Sequence, residues 1–487
     1  MVKKITAHHT VTIVDGYELG ESPRLQRHLS RFVEGDFKFI PSGFMYDEKN
    51  QRLLIPRGVD TNYISRVLDK PVDTDFTADK SAKVSIKLKV GPRNDYQRES
   101  IAFLLGENNY RYTKKYSQLL LEGSTGSGKT FAATAAMAFI GTKTMVITHI
   151  NKIKNQWLNN FYTKTDLTEK QVCNIDGSNI AEMLLDTPAN KIPYKVFIVN
   201  HGTLASFAKK HGWEKVGELF RHLQIGLKIF DEAHLCWENI IKVDCNTNTK
   251  KTFYLTATFK RTDRNEQKLF ETCFKGIAKY KPAGDANRKH VLYIGVTYNS
   301  KPPYDVISSM QTYKGFSKTR YTDYLMENDE FWRVLDYLLK YVNSKLQGKI
   351  LVLSSKIESS NLIRDFIRDN FPDKTVGIYH SKATDEEKEY AAEADIVSST
   401  PQSFGTGVDI HGLRAVIIVE TYSSEVQAEQ LVGRLRPYSE NENTVFIEAV
   451  DRGFKKAHDM FKRRQKIFLK KCLKVTYLDL DSYLKNK

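Results

Sequence analysis

Residues 118–140 read QLLLEGSTGSGKTFAATAAMAFI, and the fold is decided there. An apolar run at 119–121 leads into residues 123–130, GSTGSGKT, a complete G-x-x-x-x-G-K-T. A helix-compatible, alanine-rich segment follows. Strand, glycine loop and helix start is the order in which backbone N–H groups curl around phosphate oxygens, and the helix dipole adds to the attraction. Gly123, Ser124, Thr125, Gly126, Ser127 and Gly128 form the expected nucleotide cradle. Lys129 is expected to reach the β- and γ-phosphates of ATP, and Thr130 to ligate Mg2+.

Outward from this loop, apolar segments alternate with helical patterns. Strands are expected at 118–122, 144–148, 196–199, 227–231 and 252–255, and again at 349–354, 375–379, 395–399, 415–420 and 444–449. Such alternation predicts parallel α/β sheets, here two in tandem. The expected division is a small accessory domain at 1–88, with a helical pattern near 23–32 and a polar linker at 71–89. A first lobe follows at 89–285 and a second at 286–450, with residues 280–329 bridging the lobes or decorating the second. A basic helix or tail occupies 451–487.

Charge points to a polyanion. The 487 residues carry a formal charge of +16, and nucleic acid is the usual partner of so basic a chain. Residues 451–487 hold 12 Lys/Arg against 4 Asp/Glu, a net of +8. The run Lys462, Arg463, Arg464, Lys466, Lys470, Lys471, Lys474 is interleaved with Phe461, Ile467, Phe468, Leu469 and Leu473, an amphipathic pattern. It serves equally as a helix packed by its apolar stripe or as a phosphate-contacting face. The five cysteines form no C-x-x-C pair, so no zinc site or disulfide framework is expected. The start of the chain has no signal-type apolar core and no stretch reaches 18 apolar residues, so a cytoplasmic protein without membrane contact is expected.

A second acidic element completes the chemistry. After the apolar run 227–230 come Asp231-Glu232-Ala233-His234. A strand end beside a phosphate loop is where a divalent cation needs an anion. Asp231 is expected to hold Mg2+, and Glu232 to polarise the attacking water.

The tetrad DEAH, the element Tyr254-Leu-Thr-Ala-Thr-Phe-Lys-Arg-Thr-Asp263 and the run Gln430-Leu-Val-Gly-Arg434 resemble, in this order, superfamily 2 helicases, over about residues 91–450. The likeness is to the group of RecG, the Rad25-type helicases and the phage UvsW branch-migration helicases, although Phe259 replaces that group's usual proline. It implies two RecA-like lobes. Arg93 and Gln97, in GPRNDYQ, resemble the adenine-reading element, with one residue more than usual between the arginine and the tyrosine. Thr148, Gln156 and Thr203 resemble nucleic-acid contacts of the first lobe, and Ser355, His380 and Thr400 those of the second. His234, Thr256 and Thr258 resemble residues that couple nucleotide state to lobe closure. Gly407 and Asp409 fall near the nucleotide. Gln430, Arg434 and Arg436 belong to the sixth motif, and either arginine is placed to be the finger.

The resemblance implies ATP and Mg2+ as cofactors and DNA, single-stranded and branched duplex, as partner. The expected activity is that of a monomeric DNA helicase that unwinds or branch-migrates forks and junctions 3′ to 5′, in phage replication, recombination or repair. An RNA helicase and a non-hydrolysing ATP- and DNA-binding scaffold are the alternatives.

Overall fold

The computed structural model describes residues 2–33, 37–123, 127–259, 263–282, 289–312, 315–405, 410, 412–420, 425–433, 435 and 443–485. The chain forms two compact units, residues 1–285 and 286–487.

In the first unit seven strands run parallel. Their order is Val172–Ile175, Val196–Asn200, Thr144–Thr148, Leu227–Phe230, Lys251–Thr256, Gln118–Glu122 and Ala278–Tyr280. The central strands are apolar at nearly every position because both faces are covered. Leu119 and Leu121 pack with Ala132, Ala136, Trp157 and Phe161 of helices Lys129–Ile140 and Asn151–Lys164. Leu120, between them, points the other way, to Phe207, Leu219 and Trp237 of helices His201–His211, Trp213–His222 and Trp237–Asn246. With both faces sealed, the polar groups these strands deliver emerge at the ends.

The expected accessory domain is a five-stranded sheet, ordered Met45–Asp47, Arg52–Pro56, Val11–Asp15, Lys4–Ala7 and Val72–Thr74. It does not stand apart. Val14, Leu53 and Ile55 share one apolar cluster with Trp237, Ile240 and Tyr254. A Cβ on Gly58 would lie 2.2 Å from the Cys273 carbonyl oxygen, so the two backbones meet directly there. The expected helix near 23–32 ends at His28, and Ser30–Val33 is a strand paired with Lys38–Pro41. The polar stretch expected as a linker is a strap across the first lobe. Its amides Asp79, Ala82, Val84 and Lys89 donate to the carbonyls of Asn248, Gln224, Gly141 and Lys164.

The second unit has another seven parallel strands. They are ordered Val376–Tyr379, Ile396–Ser399, Lys349–Leu353, Leu413–Ile418, Thr444–Asp451, Val291–Tyr298 and Lys474–Asp479. Residues 280–329 therefore do more than bridge or decorate: Val291–Tyr298 is a full member of the sheet. The basic C-terminal segment is not a tail either. Helix Lys455–Lys471 buries Ala457, Phe461, Ile467 and Phe468, and Phe468 stacks on Tyr293 with ring centroids 4.0 Å apart. Arg464, counted among the basic run, turns inward at 1% exposure and forks onto the buried Glu448, which also accepts from the Tyr293 hydroxyl at 2.8 Å. Lys455, Lys456, Lys462, Arg463, Lys466 and Lys470 stay exposed.

Removing one partner of a buried ion pair strands the other charge. Arg464→Ala is expected to cost the second unit about 3–5 kcal/mol, measured by denaturant unfolding, whereas Arg463→Ala should shift the midpoint little.

Candidate nucleotide site and nucleic-acid face

The phosphate loop joins strand Gln118–Glu122 to helix Lys129–Ile140. Gly128 caps that helix at φ 95°, a left-handed conformation that suits glycine. A Cβ there would stand 2.2 Å from Gln97 Nε2, and one on Gly123 would stand 1.8 Å from the Tyr96 hydroxyl. Helix Asp95–Leu105 thus presses directly on the loop. Gln97 is buried and accepts from the Arg93 backbone N–H at 2.8 Å, while the Arg93 side chain is exposed. Tyr96, which sequence reasoning passed over, donates to Ser127 Oγ at 2.8 Å. Lys129 is buried and its ammonium donates to the Gly123 carbonyl at 2.7 Å, across the loop it is expected to serve. Ser124, Thr125 and Gly126 lie outside the described residues.

Two strand positions away, Leu227–Phe230 delivers Asp231 and Glu232. Asp231 is 6% exposed. Its Oδ2 accepts the Trp157 indole N–H at 2.7 Å, and its Oδ1 accepts the Glu232 backbone N–H at 2.9 Å. Burial pushes its carboxyl well above the usual range and the neighbouring Glu232 pushes further; the Trp157 N–H and the Lys129 charge oppose both. Glu232 has φ 49°, uncommon for a residue with a side chain and characteristic of functional turns.

The strand between these two ends carries the link. Thr256, at the end of Lys251–Thr256, accepts the Thr258 N–H at 3.2 Å, donates to the Thr258 carbonyl at 2.6 Å and lies 3.0 Å from His234 Nδ1. That same imidazole nitrogen is 3.3 Å from Glu232 Oε2. The three expected coupling residues and the water-orienting acid therefore form one chain of contacts. Asp231 and Thr130 are hard oxygen donors of the kind Mg2+ takes, and two adjacent acids, one held above its ordinary pKa, are relieved by a dication. The residues fit the metal, and Asp231 and Thr130 are the ones that would hold it.

At neighbouring strand ends, Thr148 is buried and donates to Asn200 Oδ1 at 2.6 Å, and Asn200 in turn donates to Asn151. His149 Nδ1 lies 3.1 Å from Cys236 Sγ. His201 is buried against Phe230, and burial holds its pKa down at about 3. Gln156 is exposed and Thr203 half-buried.

In the second unit Ser355, His380 and Thr400 follow three adjacent strands. Ser355 is exposed, but its hydroxyl donates to the buried Glu420, which also accepts from Thr322 at 2.6 Å. His380 Nε2 is 3.2 Å from Asn361 Oδ1, and Thr400 accepts the Ser403 N–H at 3.2 Å. His380 and Thr400 are buried, so neither side chain is offered to solvent. Gly407, Asp409, Arg434, Arg436 and the side chain of Gln430 lie outside the described residues.

Residues 91–261, from the strap to the strand end at Thr256 and beyond, match the family model "Type III restriction enzyme, res subunit". The chain is 25% identical over 198 residues to a putative DNA 3′-5′ helicase Rad25 of Haloarcula marismortui, covering 41% of this chain and 27% of that one. It is 28% identical over 145 residues to the DNA 3′-5′ helicase XPB of Mycobacterium tuberculosis, covering 30% and 24%. The matched segment of the chain is thus similar to proteins named as DNA 3′-5′ helicases. Its alignment spans about a quarter of the length of these curated relatives. Among solved structures, S. cerevisiae Dbp5 bound to RNA and ADP BeF3 matches at a TM-score of 0.52 and 15% identity, over 80% of this chain and 91% of that one. A fragment of a putative HsdR subunit of a type I restriction enzyme from Vibrio vulnificus also matches at 0.52, with 13% identity, over 79% and 68%. The two seven-stranded sheets are thus tandem RecA-like lobes.

Within this candidate site, Lys129→Ala is expected to abolish measurable nucleotide hydrolysis. Glu232→Gln should leave nucleotide binding within a few-fold of wild type while lowering turnover by roughly 10²- to 10⁴-fold. Filter-retention of labelled ATP and a phosphate-release assay separate the two outcomes; turnover unchanged in Glu232→Gln would remove its assigned role.

Proposed function

We propose that the chain is an ATP-dependent DNA helicase or translocase that uses Mg2+·ATP hydrolysis to move 3′ to 5′ and remodel branched DNA. The observation that carries this reading is the chain of contacts Thr258–Thr256–His234–Glu232, beside Asp231 and two strands from Lys129. It gives the hydrolytic acid a mechanical neighbour. The chemistry needs a phosphate cradle, a metal, an oriented water and a positive charge at the transferring phosphoryl group. Gly123, Gly128 and Lys129 would supply the first, Asp231 and Thr130 would hold the second, Glu232 would orient the third, and Arg434 or Arg436 would supply the fourth. The likeness to proteins named as DNA 3′-5′ helicases supports the polarity and the choice of DNA.

Branched DNA is supported by a second surface. The accessory hairpin and lobe 1 enclose a hollow lined by Arg24, Arg27, His28, Phe32, Phe39, Tyr63 and Lys268. Arg27 lies over the Phe39 ring at 5.4 Å, and Phe37 beside it is 85% exposed. Cations interleaved with aromatic faces suit phosphates and unstacked bases together. The basic stripe of helix Lys455–Lys471 adds a sequence-independent phosphate surface.

The deciding measurement is ATPase stimulation by single-stranded DNA, duplex, fork, four-way junction and RNA side by side. Fork and junction are expected to stimulate most; stimulation by RNA alone would replace this reading with an RNA helicase, and no stimulation at all with a scaffold. Of Arg434→Ala and Arg436→Ala, the one that removes the finger should lower turnover by roughly 10³-fold or more with nucleotide binding retained. Substituting Lys462, Arg463, Lys466 and Lys470 together by Gln should flatten the salt dependence of DNA binding, because fewer counterions are released. An unchanged slope would make the stripe incidental.

A further inference from the structure

Helix Asn151–Lys164 touches both halves of the coupling problem. Its inward side buries Ile153, Trp157 and Phe161, with the Trp157 and Phe161 rings 5.5 Å apart. Trp157 is 0% exposed, and its indole N–H donates to Asp231 Oδ2 at 2.7 Å. The other oxygen of that carboxylate accepts the Glu232 N–H. Each oxygen is therefore pinned by one donor, which fixes the carboxylate plane and leaves the remaining lone pairs for a cation or its water. A phenylalanine would fill most of the same space with no polar atom to satisfy, whereas the indole N–H needs a buried acceptor and finds it in Asp231.

The outward and leading parts of the helix face the other way. Gln156, adjacent to Trp157, is exposed. Asn151, at the helix start, accepts from Asn200, which accepts from Thr148; Asn200 precedes helix His201–His211, which carries Thr203. The buried Lys154 fastens the helix to Asp176 at 2.7 Å. Thr148, Gln156 and Thr203, the expected nucleic-acid contacts of this lobe, thus sit on or are tied to the element that grips Asp231.

Resting on the ATP-driven reading above, we infer that Trp157 is a positioning residue: its indole N–H orients Asp231 for the nucleotide-bound divalent cation and transmits the state of the nucleic-acid face to that carboxylate. Nucleic acid that shifts helix Asn151–Lys164 shifts the metal-holding oxygen with it. Loss of an outer partner of a metal ligand typically weakens metal binding about 10- to 100-fold.

The test uses the full chain with Trp157→Phe in a Glu232→Gln background, so that nucleotide survives. Mn2+ binding with a non-hydrolysable ATP analogue, read by electron paramagnetic resonance, is expected to weaken about tenfold, while analogue affinity without divalent ion is unchanged. With Glu232 restored, the Mg2+ concentration for half-maximal ATPase should rise in step, kcat should recover at saturating Mg2+, and stimulation by single-stranded DNA should fall. Unaltered Mn2+ affinity in folded Trp157→Phe overturns the inference. A measurement on the unsubstituted fold covers the case where that variant does not fold. The indole resonance of Trp157, identified by elimination using Phe variants of Trp213, Trp237 and Trp332, should move when Mg2+ is added to the analogue-bound protein. A resonance that stays still overturns the inference as well. Wild-type protein that takes up no Mn2+ with the analogue would instead sink the nucleotide-site reading itself, a result seen before Trp157 is altered.

Discussion

The controlling constraint is the burial of parallel strands on both faces. Leu119, Leu120 and Leu121 alternate between two apolar layers, and each layer excludes water. Backbone groups are satisfied within the sheet, and polar side chains are admitted mainly where strands end. Lys129, Asp231 and Thr256 follow or end strands Gln118–Glu122, Leu227–Phe230 and Lys251–Thr256, where a polar group needs no buried partner of the kind that Lys228 finds in Asp244. Crowding acids and a lysine at those strand ends costs desolvation, which raises the Asp231 carboxyl, and a dication placed there would relieve that cost.

Much of this was legible in the residues. The loop at 123–130 and the acids at 231–232 are defined by types and spacings that local chemistry dictates, and the central strands are apolar enough to stand out. What escaped reading was of three physical kinds. Edge strands are partly solvated: Lys474–Asp479 exposes Lys474, Thr476 and Tyr477, so its pattern resembles a loop. Val291–Tyr298 carries Gly295 at its centre, a strand weakener in the abstract, but a Cβ there would come within 2.7 Å of Phe461. Polar partnerships across long sequence distance leave no local trace. Nothing near residue 464 announces Glu448, and nothing near residue 157 announces Asp231.

The accessory domain shows the same limit at larger scale. Its strands alternate and its linker is polar, which reads as independence. The structure ties it down through shared apolar burial and through backbone pairing of the strap, neither of which composition encodes. One consequence is that the hollow of cations and aromatics has a wall from each of two sequence-distant elements, with Lys268 on one side and Phe39 on the other. Its shape is set by the packing between them.

The place of Val291–Tyr298 in its sheet also bears on how the second unit is made. Val291 pairs with Thr444, and Leu292 with Lys474. During synthesis this strand emerges long before either neighbour, with both edges open and apolar residues on both faces. Contacts of such long sequence separation form slowly, and an unsatisfied strand edge invites pairing with other chains. The sheet of this lobe therefore closes around Val291–Tyr298 only after residues 444–479 have been made.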